Sequence, residues 1–321
     1  MHTKPMKQRL KTAVIGVGNM GKNHARIYSH ISNLVAVCDS NEKVGLPVAH
    51  IYNTKFYTDY MTLLTVEKPD AVSVVVPSRD HMLITVECLK KNVPTLVEKP
   101  IADTVVDAKI MLDTAIKYKT LLMVGHTERF NPAVIQLKKM ITEKKLGNIV
   151  NLLAMRIGLH PPVNTDIDVA IDLAIHDIDV INFLLNEFPL RKKVVKNKVY
   201  KNSVADSSSF MLEYKKTTGI IHSNWITPAK IRKLYVSGSL GFAELDYIRQ
   251  QLIVYEKVTH VKKNINYLDV LGLSDSPKKM KYVSKKEPLK EELKFFLQHS
   301  NDYHYTIQSR DALKALETAI S

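Results

Sequence analysis

The chain has 321 residues, of which 45% are apolar and 24% charged, ordinary globular values that exclude a disordered chain, a collagen-like repeat and a disulfide-stapled miniprotein. At the usual ~150 residues per domain, this length suggests about two domains. Lys and Arg number 46 against 32 Asp and Glu, a net charge of +14; the lysines fall in separated clusters without interleaved aromatics, so solvated surface and steering of anionic ligands are expected rather than nucleic-acid binding.

The basic start, Met1 to Lys11, runs straight into a strand-like TAVIGVG without the apolar stretch and cleavage site of a signal peptide. No run of about 18 uncharged apolar residues follows, so no membrane span is expected and the protein reads as cytoplasmic. From Lys11 to about Val124, short β-branched runs (TAVIGVG, LVAVCD, AVSVVVP, PTLVEKP, LLMVGH) alternate with amphipathic stretches at Gly21–Ile31, Thr58–Val66, Asp80–Lys91 and Thr104–Tyr118. Five buried-type strands with helices between them predict a parallel, doubly wound sheet, whose ligands sit beyond the strand carboxyl ends. Cys38 and Cys88 lie in apolar runs 50 residues apart, a spacing for neither metal nor disulfide, and read as small buried side chains.

After Gly125 the pattern changes. Helices are predicted at Asn131–Lys145 and about Asp168–Leu185, followed by the alternating segments VVKNKVY, SSSFMLEYK, GIIHSNWI, KLYVSGSLGFAELDY and QLIVYEK. Successive strands joined by turns predict a mostly antiparallel sheet with one face open for subunits to pair. Lys262–Pro288 reads as a long polar excursion, and helices at Leu289–Gln298 and Ser309–Ile320 close the chain. The predicted fold class is therefore α/β plus α+β, with a dinucleotide-binding domain over 1–126 and a substrate and oligomerisation domain over 127–321.

Gly16, Gly18 and Gly21 form G-V-G-N-M-G between the first strand and the first helix. Gly16 permits a tight turn, Gly18 a close approach to a pyrophosphate, and Gly21 close helix–strand packing, with the helix amino end facing the phosphates. Asp39 follows 18 residues after Gly21, where its carboxylate can bond ribose hydroxyls and repel a 2′-phosphate, favouring NAD over NADP. Glu98-Lys99-Pro100 closes a strand at the same sheet edge, where a partly desolvated lysine can bind or move a proton. Asp172 and His176, four apart on one predicted helix, allow the carboxylate to orient the imidazole. Ala174, Ile178, Ile181 and Leu185 mark that helix's core face, beside a stripe of Asp168, Asp172, His176 and Asp179. Without an accompanying Cys or His pair, no metal is expected there.

These motifs, with VVPSRDH (Val75–His81), VEKPIA (Val97–Ala102), GHTERFNP (Gly125–Pro132) and IDLAIHDID (Ile171–Asp179), resemble the glucose–fructose oxidoreductase and inositol dehydrogenase (Gfo/Idh/MocA) family over nearly the whole chain. RFNP, AIHDID and NWITPAKIR (Asn224–Arg232) are most similar to its branch acting on carbon 3 of UDP-N-acetylglucosamine. Ser78 and Arg79 depart from the proline with threonine or asparagine common in relatives. The resemblance implies NAD-dependent oxidation of a sugar hydroxyl in a homo-oligomer, a dimer or tetramer paired through the second sheet. It implies catalytic Lys99, Asp172 and His176. Cofactor contacts would come from Gly16, Gly18, Asn19, Met20, Gly21, Asp39, Ser78, His81, Glu98 and Lys99. Substrate contacts would come from Lys99, Arg129, Asn131, Arg156, Asp172, His176, Lys230 and Arg232. Either His176 or Lys99 can be the base; His176 is preferred because it needs less tuning. The alternatives are a dehydrogenase for a free sugar, inositol or another sugar derivative, and a non-catalytic NAD-binding regulator.

Overall fold

A computed structural model describes residues 9–158, 168–199, 204–256, 278–281 and 283–320. Its contacts divide the chain into two units, Met1–Thr127 with Leu289–Leu313, and Glu128–Pro288 with Lys314–Ser321.

In the first unit, strands β1 (Lys11–Ile15), β2 (Asn33–Cys38), β3 (Lys55–Tyr57), β4 (Ala71–Val74), β5 (Thr95–Glu98) and β6 (Leu122–Gly125) form a parallel sheet in the order β3-β2-β1-β4-β5-β6. Between them run α1 (Asn19–Ile31), α2 (Glu42–Ile51), α3 (Tyr60–Glu67), α4 (His81–Lys90) and α5 (Val105–Tyr118). Gly21, His24, Ala25 and Tyr28 repeat at helical spacing on the buried side of α1. Side-chain oxygens of Asn41, Asp59 and Thr104 cap α2, α3 and α5. The sheet has six strands where the sequence pattern suggests five, because α2 and β3 carry weak signals: Gly45 and Pro47 interrupt one, and the other is three residues long.

The sequence division at 126/127 assigns the closing helices to the second domain. In the structure α8 (Pro288–Gln298) returns to the first unit, where Leu289, Leu293 and Phe296 join the core around Tyr28, Val37 and Leu96. Each such fully buried side chain contributes about 1.5–3 kcal/mol. Residues 309–313 of α9 (Ser309–Ala319) also belong to this unit, and Ser309 Oγ donates to the Leu122 carbonyl at 2.7 Å.

The second unit starts with α6 (Pro132–Thr142) and β7 (Ile149–Ile157). A π-helical turn (Ala170–Ala174) then continues as α7 (Ile175–Leu185). Strands β8 (Arg191–Asn197), β9 (Ser207–Glu213), β10 (Thr218–Asn224), β11 (Ile231–Gly238), β12 (Gly241–Asp246), β13 (Gln251–Glu256) and β14 (Lys278–Lys281) complete a sheet ordered β14-β13-β12-β11-β7-β10-β9-β8. It is antiparallel except where β7 and β10 pair in parallel. β7, central in this order, is missing from the sequence-predicted strands because its apolar run follows a helix with no hairpin chemistry to mark it. The Lys262–Pro288 excursion lies largely outside the described residues, except that it contributes β14. Leu152, Ala154, Leu234, Val236 and Ala243 are buried on one face of the sheet. The other face carries the half-buried stack Tyr235, Phe242 and Tyr255, with the exposed Val195 and Met211.

Candidate active site

In the first unit, β1 ends in a turn that only glycine can make. Gly16 has φ +87°, and a Cβ there would lie 2.6 Å from the Val75 carbonyl oxygen; one at Gly21 would lie 2.0 Å from the Gly16 oxygen. Gly18 differs in having, among the described residues, no neighbouring atom within 4 Å of a Cβ, so its backbone borders open space. Gly18 also caps α1 without a side chain, leaving the helix's first N–H groups for an anion.

Asn19 is exposed at the head of that helix, and Met20 packs on the core. Asp39 is fixed at the end of β2, its carboxylate accepting from the Val17 N–H at 3.0 Å and the Asn41 N–H at 2.9 Å. Beside it opens a cavity of about 630 Å³ lined by Gly16, Gly18, Asp39, Asp59, Tyr60 and Pro77 among others. An uncapped helix end, a glycine facing open space and a carboxylate at the second strand's end together fit an adenine dinucleotide without a 2′-phosphate. Asp59 and Tyr60 escaped the sequence reading; their only local signal is the cap of α3.

The other expected cofactor residues hold loops. Ser78 Oγ donates to Asp103. Buried His81 places Nδ1 and Nε2 each 2.9 Å from a backbone oxygen, of Pro100 and Val76; burial pulls its pKa down despite those bonds. Glu98 is buried at the end of β5, where it meets His24 Nε2 at 3.0 Å and the Lys99 N–H at 3.1 Å. Burial opposes its charge, but the His24 bond and the His24 and Lys99 charges more than offset this and hold the carboxyl below its usual value. Lys99 follows at the sheet's carboxyl edge, partly exposed.

In the second unit, Asp172 and His176 lie across the junction of the π-turn and α7, both partly exposed. A π-turn inserted in a helix is a feature frequent at functional sites. Trp225 donates its indole N–H to Asp172 Oδ2 at 3.3 Å, a contact between residues 53 apart in sequence. The expected polar stripe divides: Asp168 Oδ1 caps the turn at the Ala170 N–H (2.7 Å), while Asp179 faces inward. α7 is buried on most sides, its buried carboxylates met by arginines.

Arg156 from β7 pairs with Asp177 at 2.7 and 3.2 Å, reaches Glu128 at 3.1 Å and lies over the Tyr247 ring. Burial works against its charge, but the Asp177 and Glu128 carboxylates more than offset this and raise its pKa above the ordinary value. Arg129 grips Asp179 at 2.8 and 2.6 Å. Asn131 caps α6 and donates to Glu128 and to the Tyr247 carbonyl. Arg129 and Arg156 are thus paired with the buried carboxylates of α7, and Asn131 with the start of α6 and the Tyr247 carbonyl. Arg232 donates to the Ile157 and Ile231 carbonyls at 2.6 and 3.0 Å, and burial, with Arg156 nearby, lowers its pKa. Lys230 is exposed.

Two family models match this chain: one described as an oxidoreductase family with NAD-binding Rossmann fold over residues 10–126, the other as the GFO/IDH/MocA C-terminal domain over residues 134–244. The chain belongs to the Gfo/Idh/MocA family of oxidoreductases, and its first unit is that family's NAD-binding domain. The UDP-N-acetylglucosamine 3-dehydrogenase of Acidithiobacillus ferrooxidans is 27% identical over 77% of both chains. Its solved structure superposes with a TM-score of 0.82 over 97% of this chain and 95% of that one, at 23% identity, a likeness of fold. The D-glucoside 3-dehydrogenase of Escherichia coli is 33% identical over 58% of this chain and 56% of its own. The inositol 2-dehydrogenase of Rubrobacter xylanophilus is 28% identical over 56% of this chain and 53% of its own.

Proposed function

We propose that this oxidoreductase removes hydride from a sugar hydroxyl carbon, with carbon 3 of UDP-N-acetylglucosamine as substrate and the 3-keto sugar nucleotide as product. The observation that carries the reading is the pair Asp172 and His176, presented on a helix whose inner carboxylates are clamped by Arg129 and Arg156. Support for the substrate comes from the relative that shares 77% of both lengths. When bound, NAD supplies the hydride acceptor. Asp172, steadied by Trp225, orients His176; His176 takes the hydroxyl proton; and Lys99 hydrogen-bonds the developing alkoxide. Lys230 and Arg232 serve the diphosphate of the sugar nucleotide. Two copies pair through the face bearing Tyr235, Phe242 and Tyr255.

The test is absorbance at 340 nm with NAD and a panel of UDP-N-acetylglucosamine, free glucose, a glucoside and myo-inositol. The reading requires the highest kcat/KM for the UDP sugar and a 3-keto product by NMR. A preference for the glucoside or inositol would select the second reading, favoured by the 33% identical glucoside enzyme. No turnover with any of them would point to the non-catalytic regulator.

A further inference from the structure

An ionised carboxylate removed from water costs several kcal/mol unless partners replace its hydration. Glu98 is 7% exposed, and the first unit makes a specific place for it. Opposite on β6 stands Gly125, where a Cβ would lie 3.0 Å from Glu98 Oε1 and 3.2 Å from Oε2. The space is therefore kept by the missing side chain at 125. Oε1 is met by Nε2 of His24, fully buried on α1 and 74 residues away in sequence, while Oε2 accepts the Lys99 main-chain N–H. Among the described residues His24 Nδ1 has no hydrogen-bond partner, and the ring's hydrogen bond there is the one to Glu98. A histidine and a carboxylate buried together at the residue preceding Lys99 exceed what the strand's own packing needs.

We propose that His24 and Glu98 are positioning residues for Lys99. His24 fixes the Glu98 carboxylate, which then fixes the main chain at Lys99 and sets a buried negative charge beside its ammonium. The chain of contacts runs from α1 through the end of β5 to the side chain that meets the alkoxide, and it rests on the reading of Lys99 as catalytic. Misplacement of a reacting group by about 1 Å is enough to lower turnover ~10²-fold.

The test uses the full-length protein with four changes. His24→Phe keeps an aromatic ring without the N–H; His24→Gln keeps a donor in reach of Glu98; Glu98→Gln removes the charge; Gly125→Ala crowds the carboxylate. With NAD and UDP-N-acetylglucosamine, His24→Phe, Glu98→Gln and Gly125→Ala should lower kcat about 10- to 100-fold, with the NAD dissociation constants of His24→Phe and Gly125→Ala within about threefold of wild type, and His24→Gln should recover most of the loss. The double variant His24→Phe with Gly125→Ala should be little worse than the poorer single one, since both act on one carboxylate.

A second readout needs no substrate. The rate of Lys99 labelling by trinitrobenzenesulfonate, followed by peptide mass spectrometry, should change severalfold in His24→Phe and Gly125→Ala and return in His24→Gln. His24→Gln as impaired as His24→Phe, loss of NAD affinity in step with turnover, or labelling unchanged in all variants would overturn the proposal. If Lys99→Met itself kept normal turnover, the catalytic reading of Lys99 would fall, and labelling alone would judge the positioning.

Discussion

At Gly16 to Gly21 the first unit builds its site from backbone: a left-handed turn, a helix end left uncapped and a glycine bordering open space. Around Asp172 to Asp179 the second unit builds with charged side chains, two buried carboxylates gripped by two arginines and a third carboxylate steadied by an indole. The backbone device tolerates no added Cβ at Gly16, because the obstruction is the Val75 carbonyl. The side-chain device depends on complete pairing, because one lost partner leaves a charge buried alone. A phosphate-binding turn can thus be recognised from a few consecutive residues, whereas the clamp exists only once the chain has folded.

The sharpest way to break the comparison is Asp177→Asn, which removes one member of the Arg156 pair. Breaking a buried pair by deleting one partner typically costs about 3–5 kcal/mol, so urea unfolding should show a loss of that order, and turnover should fall with it. Stability within about 0.5 kcal/mol of wild type would mean that the clamp does not hold α7. Next comes His176→Ala, expected to lower turnover 10²–10⁴-fold while NAD binding, measured by calorimetry, stays intact. If turnover stayed near normal and Lys99→Met instead removed the basic limb of the pH profile, the base role would pass to Lys99.

How much of this was legible follows the same division. β1, α1 and the glycine turn are readable because strand, turn and helix periodicities abut within some twenty residues. The edge element β3 and the Pro47-bearing α2 are hidden by weak propensity. β7, with Leu152, Ala154 and Arg156 turned to the buried face, hides because an inward arginine breaks the alternation that marks a strand. Arg156 lies 21 residues from Asp177, Arg129 lies 50 from Asp179, and His24 lies 74 from Glu98, so no local pattern announces these partners. Asp172, His176 and Lys99 were nameable from their motifs; Trp225 and His24 required the fold.

A smaller effect is expected at Asp39. Asp39→Asn removes the repulsion toward a 2′-phosphate and keeps an oxygen acceptor for one of the two N–H groups, of Val17 and Asn41, that the carboxylate holds, so the ratio of NAD to NADP affinity, by calorimetry, should fall by about tenfold or more. An unchanged ratio would assign the discrimination to another residue lining the cavity.

The smallest effect concerns the cysteines. Burial, before any nearby charge, pushes both the Cys38 and Cys88 thiols up to about 12. A thiol raised in the folded state contributes stability that is present below its ordinary value and lost as pH rises toward 12. At pH 8 neither should react with Ellman's reagent until denaturant is added; prompt labelling of either in the native protein would show that its cover opens.

The return of α8 bears on how the protein comes off the ribosome. Leu289, Leu293 and Phe296 sit in the same core as Val14 and Tyr28, so the nascent Rossmann unit emerges with its hydrophobic interior incomplete and is finished only after nearly all of the second unit has been translated. A nascent chain stalled near residue 127 presents the apolar surface that α8 later covers. Synthesis from the amino end thus delivers the nucleotide-binding loop long before the last structural support of its unit.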